Sequence, residues 1–465
     1  MDPVFRVMCD VAGLVTRGSD AARMEARRMA AERERRSAAN TTVVVEQPIA
    51  AGASAEPRRF RSLAKKHKTY DLAIIGGGIA GSTLGRTMAL HGAEVLIVEK
   101  ELHYRDRIRG EVLLPWGSLE AKMLGIYDIL LQSGAREAPC QVTYLEGEPT
   151  PPRHYPSSTP GQTGLLSFFH PDMQETLARA ATDAGVEIWR GATFKTIDHG
   201  DRHTLEILTE GTIRTIEARL IVGADGRDST LAKQLRFERK KSPQELFTAG
   251  LQLSIDLPLE LAMHYFLHGR SGRGGILIET KPGNYRAYLF HHKDALERRL
   301  SGERDYQSAV RQFHEIGIPS AWLEHATPHG ILASFDGSFR WIDDPVDGNC
   351  ALVGDAASTT DPVWGNGLSR TLRDVRLMRD RLLNDSDWTS AARAYARDHT
   401  DFYHRLRRAE QLNAAIYFTM GAAAEARRQR LSTLMEKQPE LGLDLDGLGP
   451  ECGYSDELAA RFLAL

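Results

Sequence analysis

The stretch 70–100, YDLAIIGGGIAGSTLGRTMALHGAEVLIVEK, contains the residues with the clearest potential chemistry. Gly76, Gly78 and Gly81 follow an apolar run in the order G-x-G-x-x-G, and Glu99 ends the next apolar run. This order is typical of a strand, a glycine turn, a helix and a second strand. The turn lets a pyrophosphate approach the backbone and the free amides of the helix, while the acid accepts hydrogen bonds from ribose hydroxyls. The pattern therefore predicts a dinucleotide site, which could take FAD or NAD(P).

Two further turns place carboxylates after apolar runs. The stretch 220–229, LIVGADGRDS, contains Asp225, and the stretch 351–368, ALVGDAASTTDPVWGNGL, contains Asp355. In open α/β sheets, ligands bind at the carboxyl ends of the strands, where both turns are predicted to lie. A helix predicted to begin after Gly367 would direct its first amides toward an anion or a polarised carbonyl. Either turn alone is a weak signal, but together they supply contacts along an extended cofactor and favour FAD.

The order of these three motifs resembles the single-chain flavoprotein monooxygenases of the para-hydroxybenzoate hydroxylase type. The resemblance covers residues 70–383 and rests on IIGGGIAGS with Glu99, on GADG, and on GDAA followed by P and GNGL. It implies a two-domain α/β fold that binds FAD. It also implies reduction of the flavin by NADPH or NADH and transfer of one oxygen atom from O2 through a C4a-hydroperoxide. The sequence has no second complete nucleotide fingerprint, so NAD(P)H is expected as a transient co-substrate.

The resemblance further implies which residues contact FAD. The glycine turn and Glu99 would hold the ADP half, Asp225 would serve both FAD and the nicotinamide cofactor, and Asp355 would bind the ribityl chain. The full predicted set of cofactor-binding residues is Gly76, Gly78, Ile79, Ala80, Gly81, Glu99, Lys100, Arg109, Gln174, Asp225, Gly226, Arg227, Gly354, Asp355, Pro362, Gly365, Gly367 and Leu368.

The residues that face the substrate are less clearly marked. Alternating apolar and polar residues within 248–293 predict a sheet, and the resemblance implies that this sheet covers the flavin. Trp364 lies in the loop expected beside the flavin, where an aromatic ring could stack on the cofactor or the substrate, or pack in the core. The catalytic residue stays unassigned, and no metal constellation is visible. The candidates for the substrate pocket are Trp364, Arg286, Tyr288 and His264, followed by Tyr265, His291 and His292.

Composition argues against several classes of function. The 59 Lys and Arg residues nearly balance the 62 Asp and Glu residues, which argues against a nucleic-acid-binding surface. The four cysteines are far apart in the sequence and indicate neither a zinc site nor a disulfide framework. No apolar run approaches the roughly 20 residues needed to span a bilayer. We therefore predict a cytoplasmic enzyme that acts on a small molecule and O2, with a homodimer as one option for its assembly.

The predicted fold class is α/β. A Rossmann-type FAD-binding domain is interleaved with a β-sheet substrate domain and precedes a helical C-terminal region. The predicted segments are 1–68 for a flexible or helical extension, 69–150, 151–240 and 336–385 for the FAD-binding domain, 241–335 for the substrate sheet, and 386–465 for C-terminal helices and a tail packed on the surface.

Four alternative functions remain open from the sequence. The stretch from Gly110 to Pro115 resembles the G-E-x-x-x-P motif of flavin-dependent halogenases, although no W-x-W-x-I-P motif is present. A two-component oxygenase would take reduced flavin from a reductase partner, and an FAD-dependent reductase or dehydrogenase would not consume O2. A scaffold protein of this fold, such as the Rab GDP-dissociation inhibitors, would bind without catalysis. Such a scaffold has no need of the complete set of Glu99, Asp225 and Asp355.

Overall fold

The computed structural model describes residues 68–108, 110–198, 204–256 and 259–464. The predicted N-terminal extension, except Lys68, therefore lies outside the described residues, and so does Arg109 of the predicted cofactor-binding set. Within the described residues the chain forms two large sheets, two small sheets and helices packed around them. This architecture confirms the predicted α/β fold class.

The first sheet has eight strands and is parallel at its centre. Strand Lys68–Ile75 pairs in parallel with Val95–Glu99 on one side and with Thr212–Gly223 on the other. Their paired segments are largely buried, which explains the runs of Val, Ile, Leu and Ala in place of an alternating pattern. The remaining strands of this sheet are Glu187–Arg190, Thr193–Asp198, Thr204–Thr209, Val346–Asp347 and Cys350–Leu352.

Helix Ile79–Leu90 begins directly after the glycine turn and packs against helices His170–Asp183 and Gly367–Asn384. Gly81 permits the tight entry into this helix, because a Cβ there would lie 1.9 Å from the carbonyl oxygen of Gly76. The other helices before the C-terminal region are Pro115–Met123, Tyr127–Gln132, Tyr155–Ser158, Thr230–Gln234, Tyr306–Glu315 and Ser320–Glu324.

The second sheet also has eight strands and is mainly antiparallel. Strand Leu246–Ile255 pairs with Asn284–His292 and with Ala326–Asp336. Apolar side chains of this sheet are divided by strand alternation between two clusters, one of which packs under helix Tyr306–Glu315. The remaining strands of this sheet are Cys140–Leu145, Glu148–Pro149, Arg153–His154, Ala262–His268 and Arg273–Lys281.

Strand Cys140–Leu145 departs from the predicted organisation. It pairs in parallel with Ala262–His268 and so belongs to the second sheet, although segment 69–150 was assigned to the first domain. The Pro-, Ser- and Gly-rich stretch around it predicts an irregular loop, and only long-range pairing makes it a strand. The two small sheets consist of Val112–Leu113, Arg136–Ala138 and Leu165–Ser167, and of Lys240–Lys241, Arg340–Trp341 and Ser358–Thr359.

The C-terminal region is helical, as predicted. Its longest helix is Trp388–Tyr417. Asp387 caps the N-terminus of this helix, because its carboxylate accepts a hydrogen bond from the Thr389 amide at 3.0 Å. The helices that follow are Ala422–Lys437, Leu445–Leu448 and Asp456–Ala464. None of the helices in the described part of the chain combines the length and apolar character that crossing a membrane requires.

Candidate functional site

A cavity of about 450 Å³ lies between the carboxyl ends of the first sheet's strands and one face of the second sheet. Its position follows from the topology, because parallel strands bring their terminal turns to one edge. Fifteen of the predicted cofactor-binding residues line it: Gly76, Gly78, Ile79, Ala80, Glu99, Lys100, Gln174, Asp225, Gly226, Arg227, Asp355, Pro362, Gly365, Gly367 and Leu368.

Three predicted cofactor-binding residues are not among those that line the cavity. Gly81 does not line the cavity and instead shapes the entry into its helix. Gly354 does not line it either, but its positive φ of 62° turns the chain so that Asp355 does. Arg109 lies outside the described residues.

At one end of the cavity, Glu99 is held in place by backbone amides. Its Oε2 accepts a hydrogen bond from the Gly77 amide at 2.6 Å, and its Oε1 accepts one from the Glu101 amide at 2.7 Å. The hydroxyl of Tyr104 donates to the Gly77 carbonyl oxygen at 2.6 Å and covers the same turn. The carboxylate is therefore oriented before any ligand arrives, as ribose recognition at this point requires.

Asp225 provides an acceptor that the protein leaves unused. Its Oδ2 accepts a hydrogen bond from the Thr230 amide at 2.6 Å, whereas no hydrogen bond within the described residues reaches its buried Oδ1. Burial raises the pKa of this carboxyl above its ordinary value. A buried acceptor without a partner is costly, so a ligand hydroxyl or amide would relieve that cost.

Asp355 is oriented by a buried ionic network that the sequence analysis did not identify. Arg370, fully buried, donates to Asp355 Oδ1 at 2.9 Å and to Asp374 Oδ2 at 3.0 Å. Asp374 also accepts from the Gly354 amide at 3.0 Å, and its other oxygen lies 2.7 Å from His399 Nδ1. The spacing of Arg370 and Asp374, i and i+4 on one helix, was the available signal.

The loop before helix Gly367–Asn384 brings Asp361 next to Glu410, and these two buried acids lie close to the cavity. Asn366 donates to Glu410 Oε1 at 2.9 Å, and its own Oδ1 accepts from the Trp116 indole at 3.0 Å. Asp361 caps the short turn that contains Trp364, and burial raises the pKa of Asp361 to about 7. These contacts hold the loop so that the first residues of the helix line the cavity.

The candidates on the second sheet separate by strand alternation. Tyr288 and Tyr265 line the cavity from the sheet, and Trp364 lines it from the turn Pro362–Trp364. Arg286 lies on the same face as Tyr288 but is fully buried and does not line it. The Arg286 Nη2 lies 2.7 Å from Asp106 Oδ1, and its Nε lies 3.1 Å from Glu111 Oε1.

Three histidine candidates do not line the cavity. His264 lies on the opposite face of the second sheet, 4.8 Å between ring centroids from Trp322, and burial lowers its pKa to about 4. His291 also points to that face, where its Nε2 lies 2.7 Å from Gln312 Oε1. His292 makes its contacts near the end of its strand, with Glu245 among them. For His264 and His291 the reason is the two-residue period of a strand, which the sequence alone does not orient. His292 shares the parity of Tyr288 but is the last residue of its strand.

Among the cavity residues that sequence reasoning missed are Glu111 and Asp446. Glu111 lines the cavity, accepts a hydrogen bond from Tyr288 and has its pKa raised by burial. Asp446 also lines the cavity, although the C-terminal residues were expected to form a tail on the surface. That expectation is wrong for the helix Leu445–Leu448, because its apolar residues pack into the core beside the cavity.

Together, the fold and the site are those of a dinucleotide-binding protein, with the cavity between a Rossmann-type sheet and a covering sheet. The unpartnered Asp225 oxygen and the exposure of Gly78 to the cavity fit an extended cofactor with hydroxyl groups along its length. The model of the FAD binding domain family matches residues 69–387, and the chain belongs to that family. The predicted relation to FAD-dependent enzymes is thereby confirmed.

A sequence relative and two solved structures extend this comparison. Squalene monooxygenase SE1 of Panax ginseng is 26% identical over 332 residues, which span 67% of this chain and 58% of that protein. The chain thus spans little more than half the length of this relative. The structure of p-nitrophenol 4-monooxygenase PnpA from Pseudomonas putida DLL-E4 is 16% identical with a TM-score of 0.69, covering 80% of this chain and 95% of that one. Flavin-dependent brominase Bmp2 is 17% identical with a TM-score of 0.67, covering 85% and 98%. Both structures share the fold.

Proposed function

We propose that the protein is an FAD-dependent monooxygenase that uses NADPH or NADH and O2 to insert one oxygen atom into a small organic substrate. The observation that carries this proposal is the convergence of Glu99, Asp225 and Asp355 on one cavity beneath an apolar face of the second sheet. Bound FAD would supply the redox chemistry, by accepting a hydride and activating O2.

The chain's own residues would bind and orient this cofactor. The amides that begin helix Ile79–Leu90 would face the pyrophosphate, with Gly78 leaving room for it. Glu99 would accept from ribose hydroxyls, Asp225 would use its unpartnered oxygen, and Asp355 would accept from the ribityl chain. The amides that begin helix Gly367–Asn384 would stabilise negative charge on the polarised end of the ring system.

The second sheet would form a dry reaction chamber. Met263, Tyr265, Ile276 and Tyr288 line the cavity on that side, and Phe335 lines it at the edge of the sheet. Excluding water protects a reactive oxidant from unproductive breakdown and strengthens the electrostatic contacts within the site. NAD(P)H would enter this cavity transiently.

Halogenation is the second candidate function, because the stretch from Gly110 to Pro115 resembles the halogenase motif. Glu111 of that stretch is bonded to Tyr288 and ion-paired with Arg286, which gives it a structural role in this chain. Lys100 is the lysine that lines the cavity among the described residues, and it follows Glu99 at the opposite, ribose-binding end. These positions favour oxygenation.

The proposal is tested by loading the purified full chain with FAD and measuring NADPH and NADH oxidation together with O2 uptake. Small aromatic, terpenoid and alkene compounds are screened for stimulation, and products are identified by mass. A product heavier by one oxygen atom, labelled from ¹⁸O2, supports the monooxygenase. A halide-dependent product supports the halogenase. Turnover only with added reductase supports the two-component alternative, turnover without O2 uptake supports a dehydrogenase, and failure to bind FAD contradicts the proposal.

A further inference from the structure

The C-terminal segment contributes a carboxylate to the far end of the cavity. Asp446, on helix Leu445–Leu448, lines both the main cavity and a smaller neighbouring cavity of about 180 Å³. Gln141, Tyr265 and Trp364 line both cavities as well. Asp446 therefore lies where the two spaces meet, on the side of the second sheet and away from the predicted ADP-binding turn.

The backbone that carries Asp446 is fixed by contacts on both sides. Asp444 accepts a hydrogen bond from the Gly447 amide at 2.9 Å and pairs with Arg153 through two bonds of 2.9 Å each. A Cβ at Gly449 would lie 2.6 Å from the Trp116 ring, so the chain is closely packed there too. The backbone at Asp446 is thus held in place by its neighbours, which positions a binding residue.

The protein uses little of the hydrogen-bonding capacity of this site. The single hydroxyl hydrogen of Tyr155 is directed to Gln141 Oε1 at 2.6 Å, while Asp446 Oδ2 lies farther from the same hydroxyl, at 3.3 Å. The buried indole Nε1 of Trp364 has no hydrogen-bond acceptor within the described residues. The Asp446 carboxylate, an acceptor with one weak contact, and the Trp364 indole, a donor with none, therefore line the same end of the cavity. A buried polar atom without a partner is costly.

We propose that Asp446 and Trp364 form a subsite that binds a neutral hydroxyl group of the substrate, as found in a phenol or an enol. A hydroxyl donates one hydrogen bond and accepts another, which matches a carboxylate and an indole N–H that line the same two cavities. An ammonium group has no acceptor to offer the indole N–H, and the carboxylate disfavours an anion. This subsite rests on the proposed function only in taking the main cavity as the substrate site.

The site also has a defined dependence on pH. Burial raises the pKa of Asp446 to about 6; Asp444 acts in the same direction, while Arg153 and the weak contact with Tyr155 lower it. Tyr265 also faces the site, but burial keeps it neutral by raising its pKa. Above pH 6 the ionised carboxylate is the stronger acceptor, so binding of a hydroxyl compound should strengthen from pH 5 to pH 7.5.

The test uses the FAD-loaded full chain and two probes, 1-naphthol and 1-methoxynaphthalene, which differ in the hydroxyl hydrogen. Each is titrated at pH 5 and pH 7.5 while the visible spectrum of bound FAD is recorded. The wild type should prefer 1-naphthol about tenfold or more at pH 7.5 and less at pH 5. Asp446→Asn should reduce this preference to within threefold and make it independent of pH. Asp456→Asn, an exposed change in the same C-terminal region, is the matched control and should behave as the wild type.

Equal affinity for the two probes in the wild type, no saturable binding of either, or an unchanged preference in Asp446→Asn would overturn the subsite. Failure of the chain to take up FAD would instead count against the proposed function. In that case the same titrations, followed by quenching of tryptophan fluorescence in the full chain, still decide the subsite by the same preference. The two proposals can therefore fail separately.

Discussion

Replacing Asp355 with alanine tests the centre of the proposed cofactor site. Its Oδ1 accepts from the buried Arg370 at 2.9 Å, and 38% of its side chain is exposed on the side of the cavity. Arg370 keeps its second partner, Asp374 at 3.0 Å, when Asp355 is truncated. The substitution therefore removes a ligand contact without leaving an unpaired cation in the core.

The expected magnitude follows from these contacts. A hydrogen bond to a charged group contributes about 1.5–3 kcal/mol. At about 1.4 kcal/mol for each factor of ten, the Kd for FAD should rise roughly 10- to 150-fold. The free energy of unfolding of the FAD-free protein should fall by less than about 1 kcal/mol, because the lost pair is partly exposed and Asp374 still compensates Arg370.

The assay is a titration of FAD-free protein with FAD, followed by quenching of flavin fluorescence, alongside thermal unfolding of the same samples. Asp347 is an exposed acid that lies just before strand Cys350–Leu352, the strand that leads to Asp355. Asp347→Ala is therefore the matched control. It should leave the Kd unchanged. A Kd for Asp355→Ala within threefold of the wild type, with the protein folded, would refute the assigned contact with FAD.

Four further substitutions give separable outcomes. Gly76→Ala should lower the melting temperature, because φ at Gly76 is 106° and the new Cβ would lie 2.4 Å from the carbonyl oxygen of Ala224. Gly78→Val should instead leave the fold intact and abolish FAD binding. The idea fails if the Gly78 variant binds FAD like the wild type. Since Asp361 has a pKa raised from 3.8 to about 7, its protonated form is favoured in the folded state, and stability is lost as pH rises between these values. Asp361→Asn should therefore raise the melting temperature at pH 8 but not at pH 4, and equal shifts at both would contradict it. Arg286→Met should cost about 3–5 kcal/mol in urea unfolding, because it leaves Glu111 buried without its cation; a loss below 1 kcal/mol would count against that reasoning.

Local sequence was sufficient to predict those parts of the site whose chemistry depends on residues that are neighbours along the chain. Gly76 and Glu99 belong to one strand–turn–helix–strand unit, and Asp225 and Asp355 each follow a buried strand directly. Their arrival at one edge of the sheet is a consequence of parallel pairing, which the apolar runs already indicated. The glycine turn alone left FAD and NAD(P) open, and the two later turns favoured FAD.

The sequence by itself thus determined the α/β class, the dinucleotide site and the acids expected along the cofactor. Tertiary structure decided which faces of the second sheet's strands met the cavity: it placed Tyr288 in the cavity and His264 away from it. It also brought in Arg370 behind Asp355, and Asp446 from the C-terminal segment. The physical reason is that the chemistry of a turn depends on adjacent residues. The direction of a strand's side chains and the packing of distant segments depend instead on register and core formation across the whole chain.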